Sequence, residues 1–530
     1  MKEIRNPVLP GFNPDPSILR VGGDYYIATS TFEWFPGVQI HHSKDLAHWR
    51  LLTRPLRRVS QLDMAGATNS AGVWAPCLTY DKGTFYLAYT NVGYFDRTLF
   101  AFDTPNYLVT AKDIAGEWSD PVYLNASGFD PSLFHDDDGK KWLVNMLWDH
   151  RKAHKHFAGI VLQEYSPKEK KLIGPVHHIF GGTSLGVTEG PHLYKENGFY
   201  YLLTAEGGTG YGHAVTVARS KKITGPYETD PENPVLTSRN DADLEIQKAG
   251  HASLVMTAKK EWYLAHLGSR PLTERGRCVL GRETFLQKAA WNRQHWLRLE
   301  SEGKAPQMNV PAAAGLVSHP WPKPHARDDF DAKSLNIHFQ TLRVPLGEDT
   351  LSLRERPGFL RLKGRKFLSS PHTQALVARR QQSFRYSAST VLEFDPENFQ
   401  QMAGLVCFYD TQNFYYLHVS HDEKLGKCLN LISSDRGNTE YPMDGAISLK
   451  GTKRVSLKVE VNREKLQFFY SKDGRVWRAV GPMLDASKLS DDYASDFSFT
   501  GAFVGLACQD LSGRRHPADF DYFDYTEHDS

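Results

Sequence analysis

Apolar and polar positions follow a pattern that returns five times within the first 270 residues of the chain. Each copy has a small or polar residue, usually followed by proline, then an apolar pair, a turn and an aromatic-rich strand; successive copies are 60, 55, 60 and 61 residues apart. The copies begin at Asp15, Ala75, Asp130, Gly190 and His251. A fixed period of this length, made of short strands joined by tight turns, predicts a β-propeller of five blades.

One position of the repeat collects chemically reactive side chains. Equivalent ends of the innermost strands of a propeller point at the same axis, so residues that are distant in sequence converge there. This position holds Asp15, Trp74, Asp130, Glu189 and His251, of which Trp74 and Glu189 lie one residue before the aligned position. We therefore expect three carboxylates, an indole and an imidazole to face one pocket.

The rest of the sequence has a different pattern. Residues 304–325 are rich in proline and predict an irregular connector on the surface. Beyond them, apolar and polar residues alternate with period two, which predicts antiparallel strands at 386–394, 404–409, 414–419, 455–461, 466–471 and 502–507. The sequence thus predicts an all-β chain: a five-bladed propeller over 1–303, the connector, and a C-terminal β-sandwich of the jelly-roll, concanavalin-like type over 326–530.

Composition and charge narrow the function. At 530 residues the chain is long enough for two domains, and its 12% of aromatic residues suit both β-structure and a sugar-binding cleft. The net charge of +2, without a long basic run, argues against nucleic acid or a membrane as a partner. We predict no signal peptide and no membrane span, and the five dispersed cysteines indicate reduced thiols, so we expect a cytoplasmic protein.

The acidic residues of the repeat have two interpretations. A single Asp-Pro is usually a turn or a cap, as Asp230-Pro231 and Asp395-Pro396 are expected to be. Two Asp-Pro copies and a glutamate at one phase are better explained by function, because carboxylates that face one axis desolvate and repel each other, which raises a pKa. Carboxylates in an aromatic-lined pocket suit hydrolysis of a glycosidic bond, in which one acid protonates the leaving oxygen.

These segments resemble glycoside hydrolase family 43, and the resemblance extends over nearly the whole chain. The matching segments are 13–17, 74–76, 128–132, 188–192 and 250–252. Residues 28–37 (ATSTFEWFPG) and 281–285 (GRETF) are most similar to the two-domain β-xylosidases of that family. The resemblance implies a catalytic five-bladed propeller and hydrolysis with inversion at the anomeric carbon.

The resemblance also implies a role for each acid. Asp15 would be the general base that activates water, Glu189 the general acid, and Asp130 the group that orients the acid and tunes its pKa. Inversion requires room for a water, so we expect the carboxyls of Asp15 and Glu189 to lie about 6.5–9.5 Å apart. Retaining propeller enzymes of the invertase type usually have Arg and Cys where this chain has Phe129 and Gly190, which favours the inverting interpretation.

Residues around the acids are expected to bind the sugar. Phe32 and Trp74 would form apolar walls, with ordinary core packing as the alternative. The resemblance implies that Arg282 donates to sugar hydroxyls, with a surface salt bridge as the alternative, and that Thr209 in the glycine run 207–212 is a further contact. The resemblance places His251 beside the catalytic cluster or near a calcium-centred water network, so a structural calcium is an option but no required cofactor is expected.

The predicted sandwich is either a carbohydrate-binding module or a cover for the propeller's mouth. The resemblance favours the cover, with the closing residue in the segment 497–501, at Phe499. A closed pocket accepts one terminal sugar, so cleavage would be exo. Relatives of this architecture assemble as dimers or tetramers, and we expect a homo-oligomer.

Three functions follow for testing. The favoured one is an exo-acting inverting β-1,4-xylosidase that releases xylose from the non-reducing end of short xylooligosaccharides, with α-L-arabinofuranosidase side activity. The second is α-L-arabinofuranosidase or arabinanase as the main activity. The third, from another class, is a non-catalytic carbohydrate-binding propeller.

Other motifs are expected to be structural. The acidic run 136–139 lacks the loop length and closing glutamate of an EF-hand, so a hairpin turn is expected. The histidines at 41–42, 154–156 and 177–178 lack the spacing of zinc ligands.

Overall fold

The computed structural model describes residues 2–96, 101–495 and 498–528, with only the backbone of residue 96. The described chain forms two compact units. The first comprises the chain up to Glu33, Gly37–Arg275 and Arg282–Trp321; the second comprises Trp34–Pro36, Gly276–Gly281 and the chain from Pro322 onwards. No helix within these described ranges has both the length and the apolar character needed to cross a lipid bilayer.

Strands dominate both units. In chain order, strands β1 to β26 span Glu3–Arg5, Ser17–Val21, Asp24–Thr29, Trp34–Phe35, Gln39–Ser43, Arg50–Thr53, Gly72–Asp81, Thr84–Val92, Tyr94–Asp96, Ala101–Asp103, Asn106–Ala111, Val122–Asn125, Ser132–His135, Lys141–Trp148, Phe157–Ser166, Lys171–Phe180, Glu189–Glu196, Phe199–Glu206, Ala214–Ser220, Glu228–Thr229, Leu236–Thr237, Gln247–Met256, Trp262–Ser269, Glu283–Trp291, Leu297–Leu299 and Asn309–Pro311. Strands β27 to β42 span Arg327–Asp328, Gln340–Leu342, Leu351–Ser352, Leu360–Lys363, Ala375–Arg380, Arg385–Glu393, Gln401–Asp410, Asn413–Asp422, Gly426–Asp435, Asn438–Glu440, Ile447–Ser448, Arg454–Asn462, Lys465–Ser471, Arg478–Asp485, Phe503–Asp510 and Pro517–Glu527. Helical structure in the described ranges comprises a 3-10 turn at Ala486–Lys488 and helix α1 at Asp491–Ala494, so the predicted all-β class is confirmed.

Five antiparallel sheets of the first unit are the predicted blades. Their strand orders are β2–β3–β5–β6, β7–β8–β11–β12, β13–β14–β15–β16, β17–β18–β19–β20 with β21 beside β19, and β22–β23–β24–β25. The first strands of neighbouring blades contact each other, and that of the fifth blade contacts that of the first. The strands β2, β7, β13, β17 and β22 therefore surround a common axis, and the five-bladed propeller is confirmed.

Side-chain hydroxyls join neighbouring blades close to this axis. The Oγ of Ser17 in β2 accepts a hydrogen bond from the backbone N–H of Leu78 in β7, at 3.0 Å. The Oγ of Ser253 in β22 accepts from the N–H of Ile18 at 2.9 Å and donates to the carbonyl of Pro16 at 2.7 Å. These bonds satisfy buried backbone groups that separate sheets would otherwise leave unpaired. They explain the serine that lies two positions after the first residue in the first and fifth copies of the repeat.

The proline-rich segment 304–325 is irregular, as predicted, except for the short strand β26. Strand β26 pairs antiparallel with β1, and Ile4 lies opposite Val310 in the register. Both side chains are buried in one apolar cluster of the first unit. Pro311 is tolerated because it occupies the last position of a two-stranded ladder. Burial of Val310 thus gives regular structure to a segment whose composition argues against it.

The second unit consists of two antiparallel sheets. One has the order β29–β30–β42–β32–β38–β39–β40, with β27 beside β42; the other has the order β36–β35–β34–β33–β41–β31–β28–β4, with β37 beside β35. Burial alternates with period two in β32 and β38, where Tyr386, Ala388, Leu457 and Val459 enter the core. Strands β33 and β34 differ from the predicted alternation because nearly all of their residues are buried. The predicted concanavalin-like β-sandwich is confirmed.

The seam between the fifth and first blades gives a test of the blade-joining hydroxyls. Ser253→Ala would leave the buried N–H of Ile18 without its acceptor, and we expect a loss of about 1–3 kcal/mol of stability. The urea midpoint, followed by tryptophan fluorescence, measures this loss. Ser318→Ala, at an exposed position of the same unit, is the matched control and should leave the midpoint unchanged. Equal midpoints for Ser253→Ala and the unaltered chain would show that the bond contributes nothing.

Candidate active site

The first residue of each repeat copy has a left-handed backbone. The φ angles are 54° at Asp15, 37° at Ala75, 56° at Asp130, 57° at Gly190 and 43° at His251. Residues other than glycine rarely adopt this conformation. The register of the first strand shifts at this point in β7, β17 and β22, as expected for a bulge that re-aims side chains. A shared kink therefore brings equivalent side chains to the same end of the propeller axis, which we call the hub.

Asp15 is held by three groups at the hub. Its carboxyl is buried, and its Oδ2 accepts a hydrogen bond from the Oγ of Ser30 at 2.6 Å. Its Oδ1 lies 3.2 Å from an Nη of Arg282 and 3.5 Å from Nδ1 of His251. Ser30 Oγ also accepts the N–H of Ala75 at 2.8 Å, so one hydroxyl connects the first two blades beneath the acid. Among the described groups, no hydrogen bond joins Asp15 to the other acids.

Asp130 contacts the backbone beside Glu189. Its Oδ2 accepts a hydrogen bond from the N–H of Gly190, at 2.8 Å. Because Gly190 directly follows Glu189, this bond fixes the start of β17 and the direction of the glutamate.

The pKa of Glu189 is raised well above its ordinary value of 4.5. The principal cause is the loss of solvent around the carboxyl, followed by the negative charges of Asp130 and Asp15, while Arg282 acts in the opposite direction. The pKa of Asp130 is also raised, to about 6, chiefly by burial. Glu189 is thus kept protonated at pH values at which an exposed glutamate is ionised.

Arg282 lies between Asp15 and the glycine run of the fourth blade. One Nη donates to the Oγ1 of Thr209 at 3.1 Å, and the guanidinium lies 5.3 Å from the ring centre of Phe32. The run needs glycine because a Cβ on Gly207 would lie 2.2 Å from a carbonyl oxygen of the same loop. The predicted sites Arg282, Thr209 and Phe32 are therefore brought together beside Asp15.

Aromatic rings form one side of the hub. Trp74 is buried, and its Nε1 donates to the carbonyl of Ser70 at 2.9 Å, which fixes the indole. Its ring lies 5.9 Å from Phe32 and 5.4 Å from Phe129. Phe129 was not predicted as a site residue, although it directly precedes Asp130 just as Trp74 precedes Ala75. Trp148 extends the aromatic surface, because its ring centre lies 6.1 Å from that of Phe129. Trp148 is not part of the repeated pattern, so the sequence does not mark it as a site residue.

His251 lies against the backbone of the fourth blade. A Cβ on Gly190 would come within 2.9 Å of Nε2 of His251, so only glycine fits beside the imidazole. The predicted proximity of His251 to the acids agrees with its distance from Asp15. Among the described residues there is no cluster of three or more His, Cys, Asp or Glu side chains placed for a metal, and a calcium-centred water network near His251 stays a prediction. No step of the chemistry is assigned to calcium.

Glu206 is a buried residue that sequence analysis missed. It accepts hydrogen bonds from the N–H of Thr183 at 2.9 Å, from the Oγ1 of Thr188 at 3.1 Å and from the Thr183 hydroxyl. A Cβ on Gly182 would come 2.0 Å from that same Thr188 oxygen. These bonds hold the segment that leads into Glu189. No motif marks Glu206, because its partners lie about twenty residues earlier in the chain.

The remaining predicted features have mixed outcomes. Phe499 lies in the second unit and is partly buried, and Phe497 lies outside the described residues, so closure of the pocket by this segment stays a prediction. The acidic run 136–139 forms the turn between β13 and β14, with Gly139 N–H bonded to the carbonyl of Asp136 at 3.0 Å, as predicted.

The hub places a hydrogen-bond acceptor and an acid of raised pKa around one space. Asp15 accepts from a guanidinium and a hydroxyl, and Glu189 holds its proton to a higher pH than an exposed glutamate does. Two carboxyl groups with different environments are the arrangement by which acid and base roles are separated in one site. The aromatic wall and Arg282 provide an apolar face and hydroxyl-binding donors beside them.

Comparison with known proteins agrees with this geometry. The family model for glycosyl hydrolases family 43 matches residues 4–297, and the model for the β-xylosidase C-terminal concanavalin A-like domain matches residues 327–526. A β-xylosidase of Bacillus subtilis is 52% identical over 99% of this chain and 100% of its own length, and a xylosidase/arabinosidase of Humicola insolens is 51% identical over 99% and 98%. The crystal structure of xylan β-1,4-xylosidase from Bacillus halodurans has a TM-score of 0.97 and 57% identity, covering 99% of this chain and 100% of that one.

The raised pKa of Glu189 predicts how stability depends on pH. A folded-state pKa above the ordinary 4.5 means that the folded chain binds this proton more tightly, so the group destabilises the fold as the pH rises above 4.5. Glu189→Gln removes the charge, and we expect its Tm to exceed that of the unaltered chain by about 2–4 °C at about pH 7, with no difference near about pH 4. Calorimetry at both pH values, with the exposed Glu302→Gln as control, tests this; a lower Tm for Glu189→Gln at neutral pH would contradict it.

Proposed function

The chain belongs to glycosyl hydrolase family 43, and on that basis we propose that it is an exo-acting β-xylosidase that hydrolyses β-1,4-xylooligosaccharides with inversion. The observation that carries the proposal is the pairing of Asp130 with the backbone N–H of Gly190, which fixes Glu189 in a setting that keeps it protonated. The names of the Bacillus subtilis and Bacillus halodurans relatives support xylose as the sugar released.

Glu189 would act as the general acid. It donates its proton to the glycosidic oxygen as the bond to the anomeric carbon breaks, so the leaving sugar departs as an alcohol. Its raised pKa supports this role because an acid must still hold its proton at the working pH. Asp130 contributes a negative charge that raises this pKa and a hydrogen bond that directs the glutamate.

Asp15 would act as the general base. It takes a proton from a water molecule that attacks the anomeric carbon on the face opposite the leaving group. The hydroxyl of Ser30 and the guanidinium of Arg282 direct its oxygens, and neither removes its capacity to accept from water. A carboxylate separated from the acid by a water favours inversion over a covalent intermediate. The expected separation of about 6.5–9.5 Å stays part of the proposal.

The substrate would bind with a terminal xylose at the hub. Phe32 and Trp74 provide surfaces for the C–H faces of the ring, and Arg282 with Thr209 provides polar contacts for its hydroxyls. We propose α-L-arabinofuranosidase as a side activity, which the name of the Humicola insolens relative supports. Parallel assays with aryl β-xyloside and aryl α-arabinofuranoside rank the two sugars.

We further propose a cytoplasmic location and a homo-oligomeric state, dimer or tetramer. The location is supported by the five cysteines, which are all free and buried and so suit a reducing compartment. Gel filtration with light scattering tests the assembly state.

Inversion is tested by the anomer that is released first. Hydrolysis of an aryl β-xyloside, whose only sugar product is the released xylose, should give α-xylose at the earliest times, before mutarotation, because water attacks from the opposite face. Proton NMR of the anomeric region reports the released sugar and its configuration together. The chemically prepared α- and β-xylose equilibrium mixture is the control; β-xylose as first product would refute the mechanism.

The acid and base roles are separated by varying the leaving group. With xylobiose, Glu189→Ala and Asp15→Ala should each lower kcat by about 10²–10⁴-fold or more. With a dinitrophenyl β-xyloside, whose leaving group needs no proton, Glu189→Ala should recover most of its rate while Asp15→Ala should not. An equal loss on both substrates for Glu189→Ala would discard its role as general acid.

A further inference from the structure

A cationic pocket lies in the second unit, apart from the residues assigned to catalysis. Its volume is about 500 Å³, and its lining includes Asp395 and the four lysines Lys424, Lys427, Lys450 and Lys453. We refer to it as the lysine pocket. The turn after β34, the start of β35 and the segment before β38 bring these lysines together. Four ammonium groups and one carboxylate leave an excess of positive charge around one space.

One lysine of the pocket is fixed and charge-paired. The Nζ of Lys427 lies 2.8 Å from Oδ1 of Asp395 and 3.4 Å from the carbonyl of Lys453. Its side chain is 13% exposed, whereas that of Asp395 is 80% exposed. The pair therefore orders the wall of the pocket, and the Asp395 charge is largely screened by water.

The other three lysines have no ion-pair partner within the described part of the chain. The nearby Asp422 uses its Oδ1 to accept the backbone N–H groups of Lys424 and Leu425, which shapes the turn. The next cation along the chain, Arg454, contrasts with them because it pairs with Glu393 and Asp521. Lys424, Lys450 and Lys453 are thus the lysines of the pocket without an ion pair among the described residues, and the charge of Lys424 also acts on Asp422, whose pKa it helps to lower.

Two glycines leave the pocket accessible. Gly426 and Gly451 line it with φ of 69° and 74°, and a Cβ at either position would meet no atom within 4 Å. Positive φ explains why both positions hold glycine, and the absence of side chains lets a ligand approach the backbone. The N–H of Leu449 donates a hydrogen bond to the carbonyl of Lys427 at 2.9 Å, which anchors the turn at Gly451.

We propose that the lysine pocket binds a small multivalent anion that carries phosphate or carboxylate groups. Three unpaired ammonium groups match the charge of such an anion, and lysines attract it as point charges without the planar geometry that arginine imposes. A neutral sugar would gain nothing from this charge, so the pocket is distinct in chemistry from the proposed xylose site. Binding there does not depend on the proposed catalytic activity.

Calorimetric titration of the full chain tests the proposal, with inorganic pyrophosphate and citrate as separate probes at about 0.05 M NaCl. We expect at least one probe to bind, and its Kd to rise about tenfold or more when NaCl is raised to about 0.5 M. Binding of pyrophosphate alone identifies a phosphate site, and binding of citrate alone identifies a carboxylate site. Acetate at equal ionic strength is the monovalent control. Failure of both probes to bind the unaltered chain overturns the proposal.

Matched variants locate the binding. The double variant Lys450→Ser/Lys453→Ser should raise the Kd of the bound probe about tenfold or more, because two of three unpaired charges are removed. The double variant Lys323→Ser/Lys333→Ser removes the same charge at exposed positions of the same unit and should leave Kd unchanged. An equal increase of Kd in both double variants would show that binding depends only on the total charge, and this would overturn the proposed site. Hydrolysis of aryl β-xyloside should be unchanged in both, so this result is read independently of the catalytic proposal.

Discussion

A left-handed backbone residue at the hub end of each blade is the constraint on which the active site depends. The five residues are equivalent in the repeat, and four of them carry a side chain that pays a conformational penalty there. Such a conformation persists only where the surroundings impose it, and the strand that follows Asp15 is bonded to both neighbouring blades through Ser17 and Ser253. Because every blade kinks at the same point, acids from three blades meet in one space. The geometry of the site is thus a consequence of the repeat.

Repulsion between the three carboxylates opposes their convergence, and the groups around them reduce this repulsion. The charges of Asp130 and Asp15 add to burial in raising the pKa of Glu189, and the charge of Asp15 adds to burial in raising that of Asp130, which is unfavourable for folding and useful for an acid catalyst. Arg282 and the N–H of Gly190 stabilise the charged forms of the acids they contact. Glu189 has no cationic hydrogen-bond donor among the described residues, and its raised pKa favours the neutral form. One fold therefore yields an acceptor and a donor from residues of the same chemical type.

The two units make different uses of β-structure. In the first unit, the first strands of the five blades surround an axis, and side chains at the ends of these strands perform the proposed chemistry. In the second, long strands bury one broad core, and the loops at the sheet ends are left to the solvent. The lysine pocket lies among such loops, where charge can be concentrated without disturbing the core. The propeller hub gathers carboxylates, whereas the sandwich loops gather ammonium groups, so the two sites select ligands of different charge.

The sequence by itself determined the blades, the sandwich and the identity of the hub residues. A strict period converts position in sequence into position around an axis, so Asp15, Trp74, Asp130, Glu189 and His251 could be assigned to one site from their phase alone. The tertiary structure alone decided which groups support them: Ser30 beneath Asp15, Glu206 behind the acid's loop, and Phe129 beside Trp74. It also gave Asn309–Pro311 its strand, against its composition. Local propensity and the hydrophobic pattern depend only on residues that are close in sequence. These partners are instead decided by packing between strands that are far apart in sequence.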